Sequence, residues 1–191
     1  MEKGIDAYPE GTPGKDNSVE QAGRGIDAYP EGIKEKAIET YPEGEEEKGI
    51  NAYILDFFRI VPQDIRTYSP LALAYIGDGI YDLVIRSIVV GKANTSANLL
   101  HRKTSGMVKA SAQAEMIKML LPELTPEEEA IYKRGRNAHF HTIAKNATLL
   151  DYRNATGFEA LMGYLYLENK FARMVELVKL GLERTGKWIV E

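Results

Sequence analysis

The chain has 191 residues, of which 44% are hydrophobic and none is cysteine, and its formal net charge is −4. This length allows one globular domain with a substantial core. The lack of cysteine excludes disulfide frameworks, thiolate zinc sites and cysteine nucleophiles.

The net charge conceals two regions of opposite sign. Residues 1–51 carry 13 acidic and 6 basic side chains, a charge of −7, whereas residues 52–191 carry 15 and 18, a charge of +3. A mildly basic domain is compatible with a polyanionic partner, although many ordinary domains have the same balance. The first residues lack the features of a secretory signal, and no apolar run approaches the roughly 18 residues that cross a bilayer. We therefore expect a soluble, cytoplasmic protein with no membrane partner.

The N-terminal region contains an imperfect repeat. The sequence Lys-Gly-Ile-Asp-Ala-Tyr-Pro-Glu-Gly at residues 3–11 recurs with changes at 24–32 and 36–44, and a broken fourth copy occupies 48–53. The spacing is irregular and each copy offers only an isoleucine and a tyrosine for burial, which disfavours a folded repeat array. Proline, glycine and glutamate predominate, which predicts a disordered tail over residues 1–52. The alternative is a short linear motif that binds an unknown partner multivalently.

From about residue 65 the hydrophobic pattern is helical and no convincing strand appears, which predicts an all-α domain over residues 65–191. Ser69 and Pro70 are typical of the N-cap and first-turn proline of a helix. This helix is so rich in apolar residues that it should be largely buried. A basic, polar stretch, residues 95–109, leads into a further helix that ends near Pro122.

The C-terminal half contains three more predicted helices. Thr125 and Glu128 form a capping box that opens a helix running to about Arg136. A loop with glycine and histidine follows over residues 135–146. The last two helices are indicated by apolar residues spaced i, i+3, i+4 and i+7, which are Phe158, Leu161, Met162 and Leu165 in one and Phe171, Met174, Val175 and Val178 in the other.

Asp78 lies within the most hydrophobic predicted helix, between two glycines. Two glycines inside a helix cost together roughly 2 kcal/mol relative to alanine, and an aspartate in buried surroundings must be paired, hydrogen-bonded or metal-bound. In one interpretation the glycines permit a close helix–helix approach and Asp78 pairs with an arginine such as Arg86 or Arg153. In the other, Asp78 is a metal ligand, with Asp82 one turn further along the same face.

Glu159 also has two interpretations. Thr156 and Glu159 have the spacing of a capping box, in which Glu159 would bond back to the backbone of Thr156 and have no catalytic role. Glu159 also borders a stripe of apolar residues that should be buried, so its carboxylate would face a neighbouring helix. In that case it is available as a second carboxylate beside Asp78.

The chain resembles Mini-III ribonucleases in three segments that follow the family's order: Leu71-Ala-Leu-Ala-Tyr-Ile-Gly-Asp-Gly-Ile-Tyr-Asp82, Lys133-Arg-Gly-Arg-Asn-Ala138 and Phe158-Glu-Ala-Leu-Met-Gly-Tyr-Leu165. The resemblance covers about residues 68–185. The wider ribonuclease III family has further acidic residues at the places of Leu71 and Ala74, and one three positions before Glu159, at the place of Thr156. At these positions the chain resembles the Mini-III ribonucleases rather than the wider family. Asp82 stands where Mini-III usually has glutamate.

The resemblance implies an endoribonuclease that cuts double-stranded RNA and leaves 5′-phosphate and 3′-hydroxyl ends. Its catalytic residues and metal ligands would be Asp78 and Glu159, which would hold Mg²⁺ together with several waters. The ion would activate a water for attack on a phosphodiester. Asp82 would assist from outside the set of direct ligands.

Recognition of double-stranded RNA depends on shape and backbone charge. The candidate RNA-binding residues form two basic clusters, with Arg102, Lys103 and Lys109 in one and Lys133, Arg134, Arg136 and Lys145 in the other. For any one of them the alternative is an ordinary solvated surface position. We expect His139 and His141 to be exposed loop residues rather than zinc ligands.

The resemblance also implies a two-fold homodimer, for which the helix carrying Asp78 offers apolar surface. We expect no separate double-stranded-RNA-binding domain, so substrate choice would come from the catalytic domain. The suggested substrate is precursor ribosomal RNA of the large, 23S-type subunit. The alternatives are a non-catalytic RNA-binding or ribosome-associated protein with the same fold, and an all-helical interaction module. The presence of both Asp78 and Glu159 argues against a non-catalytic protein with the same fold.

Overall fold

The computed structural model describes residues 49–139 and 148–187, which contain helices and no strand. The α-helices in these ranges are α1 (Ile50–Phe57), α2 (Pro70–Lys92), α3 (Ala97–Val108), α4 (Ala110–Leu120), α5 (Pro126–Arg136), α6 (Leu149–Leu167) and α7 (Phe171–Arg184). The predicted all-α class is confirmed. None of the described helices is long and apolar enough to span a membrane.

Most of the predicted tail and part of the predicted loop, residues 1–48 and 140–147, lie outside the described residues. The sequence did not indicate α1, which begins inside the fourth repeat copy with Gly49 as its N-cap. No residue of α1 is fully buried. This helix therefore lies beside the core rather than within it.

The helix α2 begins as its sequence predicts. The Ser69 hydroxyl accepts a hydrogen bond from the backbone N–H of Ala72 at 3.0 Å, and Pro70 occupies the first turn. Along the helix, buried residues recur every fourth position, at Leu73, Gly77, Tyr81, Ile85 and Val89. This spacing gives α2 one continuous face against the rest of the domain.

The basic stretch before α4 is itself a helix, which corrects the sequence interpretation. This helix, α3, has only Thr104 fully buried, so it lacks a strong apolar periodicity in the sequence. Lys109 has an extended backbone, with φ −65° and ψ 148°, and separates α3 from α4. The two helices therefore meet at a corner that is centred on this residue.

The central helix of the domain is α6. It packs against α2, α4 and α5, and residues 154–158 and 160–166 are all buried. Its N-cap is Thr148, whose hydroxyl accepts a hydrogen bond from the backbone N–H of Asp151 at 3.0 Å. Residues 149–153 at the start of α6 are exposed or only half-buried, so the apolar pattern in the sequence begins further along the helix.

The backbones of α2 and α6 touch where two glycines face each other's helices. A Cβ atom at Gly77 would lie 2.6 Å from the backbone nitrogen of Gly163, and one at Gly163 would overlap the carbonyl oxygen of Leu73. Gly79, by contrast, has open space where a Cβ would be. The close helix–helix approach predicted from the two glycines around Asp78 therefore depends on Gly77 and not on Gly79.

The helices α5 and α7 are joined by a buried carboxylate. The predicted capping box of α5 is present, since Glu128 donates its N–H to the Thr125 hydroxyl and accepts the Thr125 N–H in return. The same carboxylate accepts a hydrogen bond from Arg173 of α7 at 2.9 Å. This ion pair lowers the pKa of Glu128, although burial acts in the opposite direction as the largest single influence.

Alanine substitution should separate the packing role of Gly77 from ordinary helix propensity. Gly77→Ala should destabilise the domain by at least about 3 kcal/mol, because the added methyl group meets backbone atoms that cannot rotate away. Gly91, also in α2, has open space around its Cβ position, so Gly91→Ala should stabilise by about 0.5–1 kcal/mol. Urea denaturation measures both changes. Equal stability of the two variants would contradict the proposed contact.

Candidate active site

A cleft opens between α2 and α6, beside the point where their backbones touch. Its volume is about 660 Å³, and the residues that line it are Leu71, Ala74, Tyr75, Ile76, Asp78, Gly79, His139, Tyr152, Thr156 and Glu159. The cleft therefore contains Asp78 and Glu159, the two carboxylates that the sequence singles out, each from a different helix. The backbone contact at Gly77 positions them, because Asp78 is its neighbour in sequence and the carbonyl of Glu159 faces Gly77.

Asp78 has no ion pair with a basic side chain among the described residues. Arg86, one of its two suggested partners, instead pairs with Asp82 through Nε and Oδ2 at 2.5 Å. The second suggested partner, Arg153, is exposed on α6 and forms no salt bridge with Asp78 within the described ranges. Desolvation in the cleft, and then repulsion from Asp82, raise the pKa of Asp78 above its ordinary value.

Glu159 is not part of a capping box, and that interpretation is wrong. Thr156 lies in the third turn of α6, and its hydroxyl donates to the carbonyl of Tyr152 at 3.1 Å rather than capping a helix. Burial, followed by the negative charge of Asp78, raises the pKa of Glu159 to about 7, and a hydrogen bond from Gln113 opposes the shift. The charge of Asp78 thus acts on Glu159, and no basic group among the described residues forms a salt bridge with either carboxylate.

Gln113 of α4, which no sequence motif singles out, is only 1% exposed. Its Nε2 donates to the carbonyl of Val108 at 2.8 Å, across the corner between α3 and α4. Its side chain also acts to lower the pKa of Glu159, against the effect of burial. A polar residue within the α4 periodicity was the available signal, but the sequence alone does not show which helix it faces.

One of the two histidines of the predicted loop lines the cleft. His139 is exposed, as expected, and lies in the cleft, whereas His141 is outside the described residues. Tyr75 is 85% exposed and also lines the cleft. No group of three histidine, aspartate or glutamate side chains in the described part of the chain could by itself hold a metal ion.

The predicted RNA-binding residues are mostly on the surface. Arg102 and Lys103 are exposed on α3, and Lys109 is exposed at the corner before α4. In α5, Lys133 pairs with Glu129 at 2.7 Å, while Arg134 donates to the carbonyl of Tyr68 at 3.1 Å.

Arg136 is held more firmly than the other basic residues of α5. Its Nε donates to Asn154 of α6 at 3.0 Å, and the Tyr132 hydroxyl donates to the same Asn154 oxygen at 2.9 Å. Arg136 therefore also joins α5 to α6. Lys145 lies outside the described residues.

The chain is similar to known proteins over this region. Residues 71–170 match the family model described as the ribonuclease III domain. The chain is 46% identical over 127 residues to Mini-ribonuclease 3 of Enterococcus faecalis, covering 65% of this chain and 96% of that protein. It is 48% identical over 119 residues to Mini-ribonuclease 3 of Clostridium tetani, covering 62% of this chain and 79% of that protein. A crystal structure of a Fusobacterium nucleatum protein, 29% identical, superimposes with a TM-score of 0.59 and covers 65% of this chain and 99% of that one.

In metal-free buffer, stability should fall as the pH rises from about 5 to 8. Because the pKa of Glu159 is raised from 4.5 to about 7, the folded protein keeps a proton that the unfolded chain has already lost in this window. Removing that proton from the folded state costs up to about 3 kcal/mol. Glu159→Gln has no such proton, so its stability should change less with pH.

Denaturant titrations across this pH range test the expectation. Glu168→Gln, which changes an exposed residue at the end of the same helix, is the matched control and should retain the slope of the parent protein. A Glu159→Gln profile as steep as that of the parent would show that this carboxyl group is not the source of the pH dependence.

Proposed function

This chain belongs to the ribonuclease III family, as one of its Mini-ribonuclease 3 members, and from that premise we propose that this endoribonuclease uses Mg²⁺ to cleave double-stranded RNA. The observation that carries the proposal is the pair of carboxylates in the cleft, Asp78 and Glu159. Their pKa values are both raised, and the described residues provide neither with a basic partner. A bound cation would supply the missing positive charge.

The donor set suits Mg²⁺ better than metals that need a complete protein cage. Mg²⁺ binds through one or two carboxylates and retains several waters, or takes oxygens from a phosphate substrate. Two carboxylates at the edge of an open cleft, without a third protein ligand among the described residues, match that preference. A zinc site would call for more histidine or cysteine ligands than this part of the chain brings together.

The roles of the protein's own residues follow from their positions. Asp78 and Glu159 would hold the ion from α2 and α6, and Asp82 would act on Asp78 through its charge while it remains paired with Arg86. When bound, Mg²⁺ lowers the pKa of a coordinated water and stabilises charge on the attacked phosphate. The backbone contact between α2 and α6 would hold the two helix positions that carry these carboxylates side by side before RNA arrives.

The basic residues of the two clusters identified in the sequence would bind the backbone of the duplex. Double-stranded RNA hides its base edges in a deep, narrow groove, so contacts must go mainly to phosphates and 2′-hydroxyls. Arg102, Lys103 and Lys109 would form one contact region, and Lys133, Arg134, Arg136 and Lys145 the other. We further propose that the duplex is precursor ribosomal RNA of the large, 23S-type subunit.

A two-fold dimer would give duplex RNA one active site for each strand. Its support in this chain is apolar surface on α2, where Tyr75 is 85% and Leu83 is 53% exposed. Exposed apolar residues of this size on a single helix are typical of an interaction surface. Sedimentation equilibrium would establish the stoichiometry.

Asp78→Asn and Glu159→Gln should each lower single-turnover cleavage of duplex RNA by at least about 100-fold, since the ion acts on the chemical step. Both variants should remain folded, because neither carboxylate neutralises a basic group among the described residues. RNA affinity should change little, because the phosphate contacts lie elsewhere. The measurements are cleavage rate, melting temperature and RNA binding in Ca²⁺.

Glu168→Gln is again the matched control and should cleave normally. A double variant of Asp78 and Glu159 that folds, binds RNA and still cleaves at the parental rate would remove the nuclease assignment from this cleft. A loss of activity that only follows a loss of folded protein would give the two carboxylates a structural role.

Arg102→Gln combined with Lys103→Gln should weaken RNA binding and reduce its dependence on salt by about one to two counterions, since each lost phosphate contact releases fewer ions. Lys179→Gln, on the exposed face of α7, removes a charge away from the proposed surface and should leave the salt dependence unchanged. Filter binding between 50 and 200 mM salt would measure both. If RNA affinity depended on salt equally in the parent protein, the double variant and Lys179→Gln, α3 would be excluded from the RNA contact.

A further inference from the structure

We propose that Asn154 is a positioning residue that holds the Arg136 guanidinium beside the cleft, in the orientation that binds a backbone phosphate of the RNA. The proposal rests on the proposed function, in which Arg136 is one of the RNA-binding residues. Asn154 lies on α6 and is only 4% exposed. It would therefore act through Arg136 and not by touching the RNA.

The first observation is where Arg136 lies. Its neighbour in sequence, Gly135, packs so closely against α6 that a Cβ atom there would lie 2.9 Å from the carbonyl oxygen of Thr156. Thr156 lines the cleft that contains Asp78 and Glu159. A phosphate bound by Arg136 would therefore belong to the stretch of RNA that enters the cleft.

The second observation is how Arg136 is held. Its Nε donates to Oδ1 of Asn154 at 3.0 Å, and the Tyr132 hydroxyl donates to the same oxygen at 2.9 Å. Burial raises the pKa of Tyr132, although the charge of Arg136 opposes the shift, so the hydroxyl keeps the proton that it donates. Because arginine also offers only donors, Asn154 must present its oxygen and not its NH₂ group to both partners. The orientation of the buried amide is thereby defined.

The third observation is which part of the guanidinium stays available. Among the described residues, Arg136 makes one other hydrogen bond, from Nη1 to Asn137 at the long distance of 3.4 Å, and none from Nη2. With Nε already bound, the two terminal nitrogens form the edge that can donate to two oxygens of a phosphate.

Arg136 also differs from its neighbour Lys133 in the charge of its partner. Lys133 forms a salt bridge with Glu129 at 2.7 Å, whereas Arg136 is half-buried and has no salt bridge in the described part of the chain. A cation that is held by a neutral amide keeps its full charge for an anion. Holding the side chain in advance also lowers the conformational entropy that RNA binding would otherwise cost.

The test is Asn154→Leu, which has a similar volume, offers no acceptor and leaves the charge of Arg136 in place. Binding of duplex RNA to the full chain is measured in Ca²⁺ between 50 and 200 mM salt, so the readout does not depend on cleavage. We expect the affinity to fall by about fivefold with an unchanged dependence on salt. Arg136→Gln should lower the affinity by about tenfold or more and reduce the salt dependence by about one counterion. The combined variant should bind no more weakly than Arg136→Gln alone.

Three further variants keep the test decisive. Arg136→Lys keeps the charge but has no Nε donor for Asn154, so it should resemble Asn154→Leu even if the latter fails to fold. Arg153→Lys makes the same exchange at an exposed residue of α6 and should bind RNA normally. Tyr132→Phe removes the other hydrogen bond to the Asn154 oxygen, so it should lower the melting temperature without weakening RNA binding.

Unchanged RNA affinity in folded Asn154→Leu or Arg136→Lys would overturn the proposal and leave Asn154 as a link between α5 and α6. Equal losses of affinity in Asn154→Leu and Tyr132→Phe would also overturn it, because reduced stability would then explain both. If Arg136→Gln still weakens binding in either case, only the positioning role is wrong. If Arg136→Gln binds RNA normally, the contact at Arg136 in the proposed function fails as well.

Discussion

The rest of the structure depends on direct backbone contact between α2 and α6. The contact exists because Gly77 and Gly163 have no side chains at the crossing point, where a Cβ atom would meet the backbone of the opposite helix. Most pairs of helices are kept 8–10 Å apart by the residues between them. Here the closer approach brings a residue adjacent to one glycine, Asp78, to the same cleft as Glu159, whose own carbonyl forms part of the contact.

This arrangement is electrostatically unfavourable in the protein alone. Burial raises the pKa values of both carboxyl groups, with added repulsion from Asp82 for Asp78 and from Asp78 for Glu159, whose pKa reaches about 7. Elsewhere in the described chain, carboxylates that are drawn into the protein have a basic partner, as Glu128 has Arg173. The contrast between these two sites indicates that the pair in the cleft is suited to binding a cation rather than to holding the helices together.

The sequence predicted best what depends on local chemistry. The caps at Ser69 and Thr125 could be predicted because each involves residues three positions apart, and the structure confirms both. The all-α class, also confirmed, could be predicted from the hydrophobic periodicity. The beginning of α6 and the existence of α3 were missed for the same reason, since residues 149–153 and all of α3 except Thr104 lie outside the core and lack a strong apolar periodicity. The influence of Gln113 on the pKa of Glu159 involves residues on two different helices, so no local pattern could reveal it.

The central claim is that Asp78 and Glu159 together hold a divalent ion, and the most direct measurement is to locate that ion. Crystals of the protein soaked in Mn²⁺ would show it by anomalous scattering. The account predicts a peak within about 2.5 Å of carboxylate oxygens from both residues, with waters completing the coordination sphere. A peak that contacts neither residue, or an empty cleft at Mn²⁺ concentrations that support cleavage, would contradict the account.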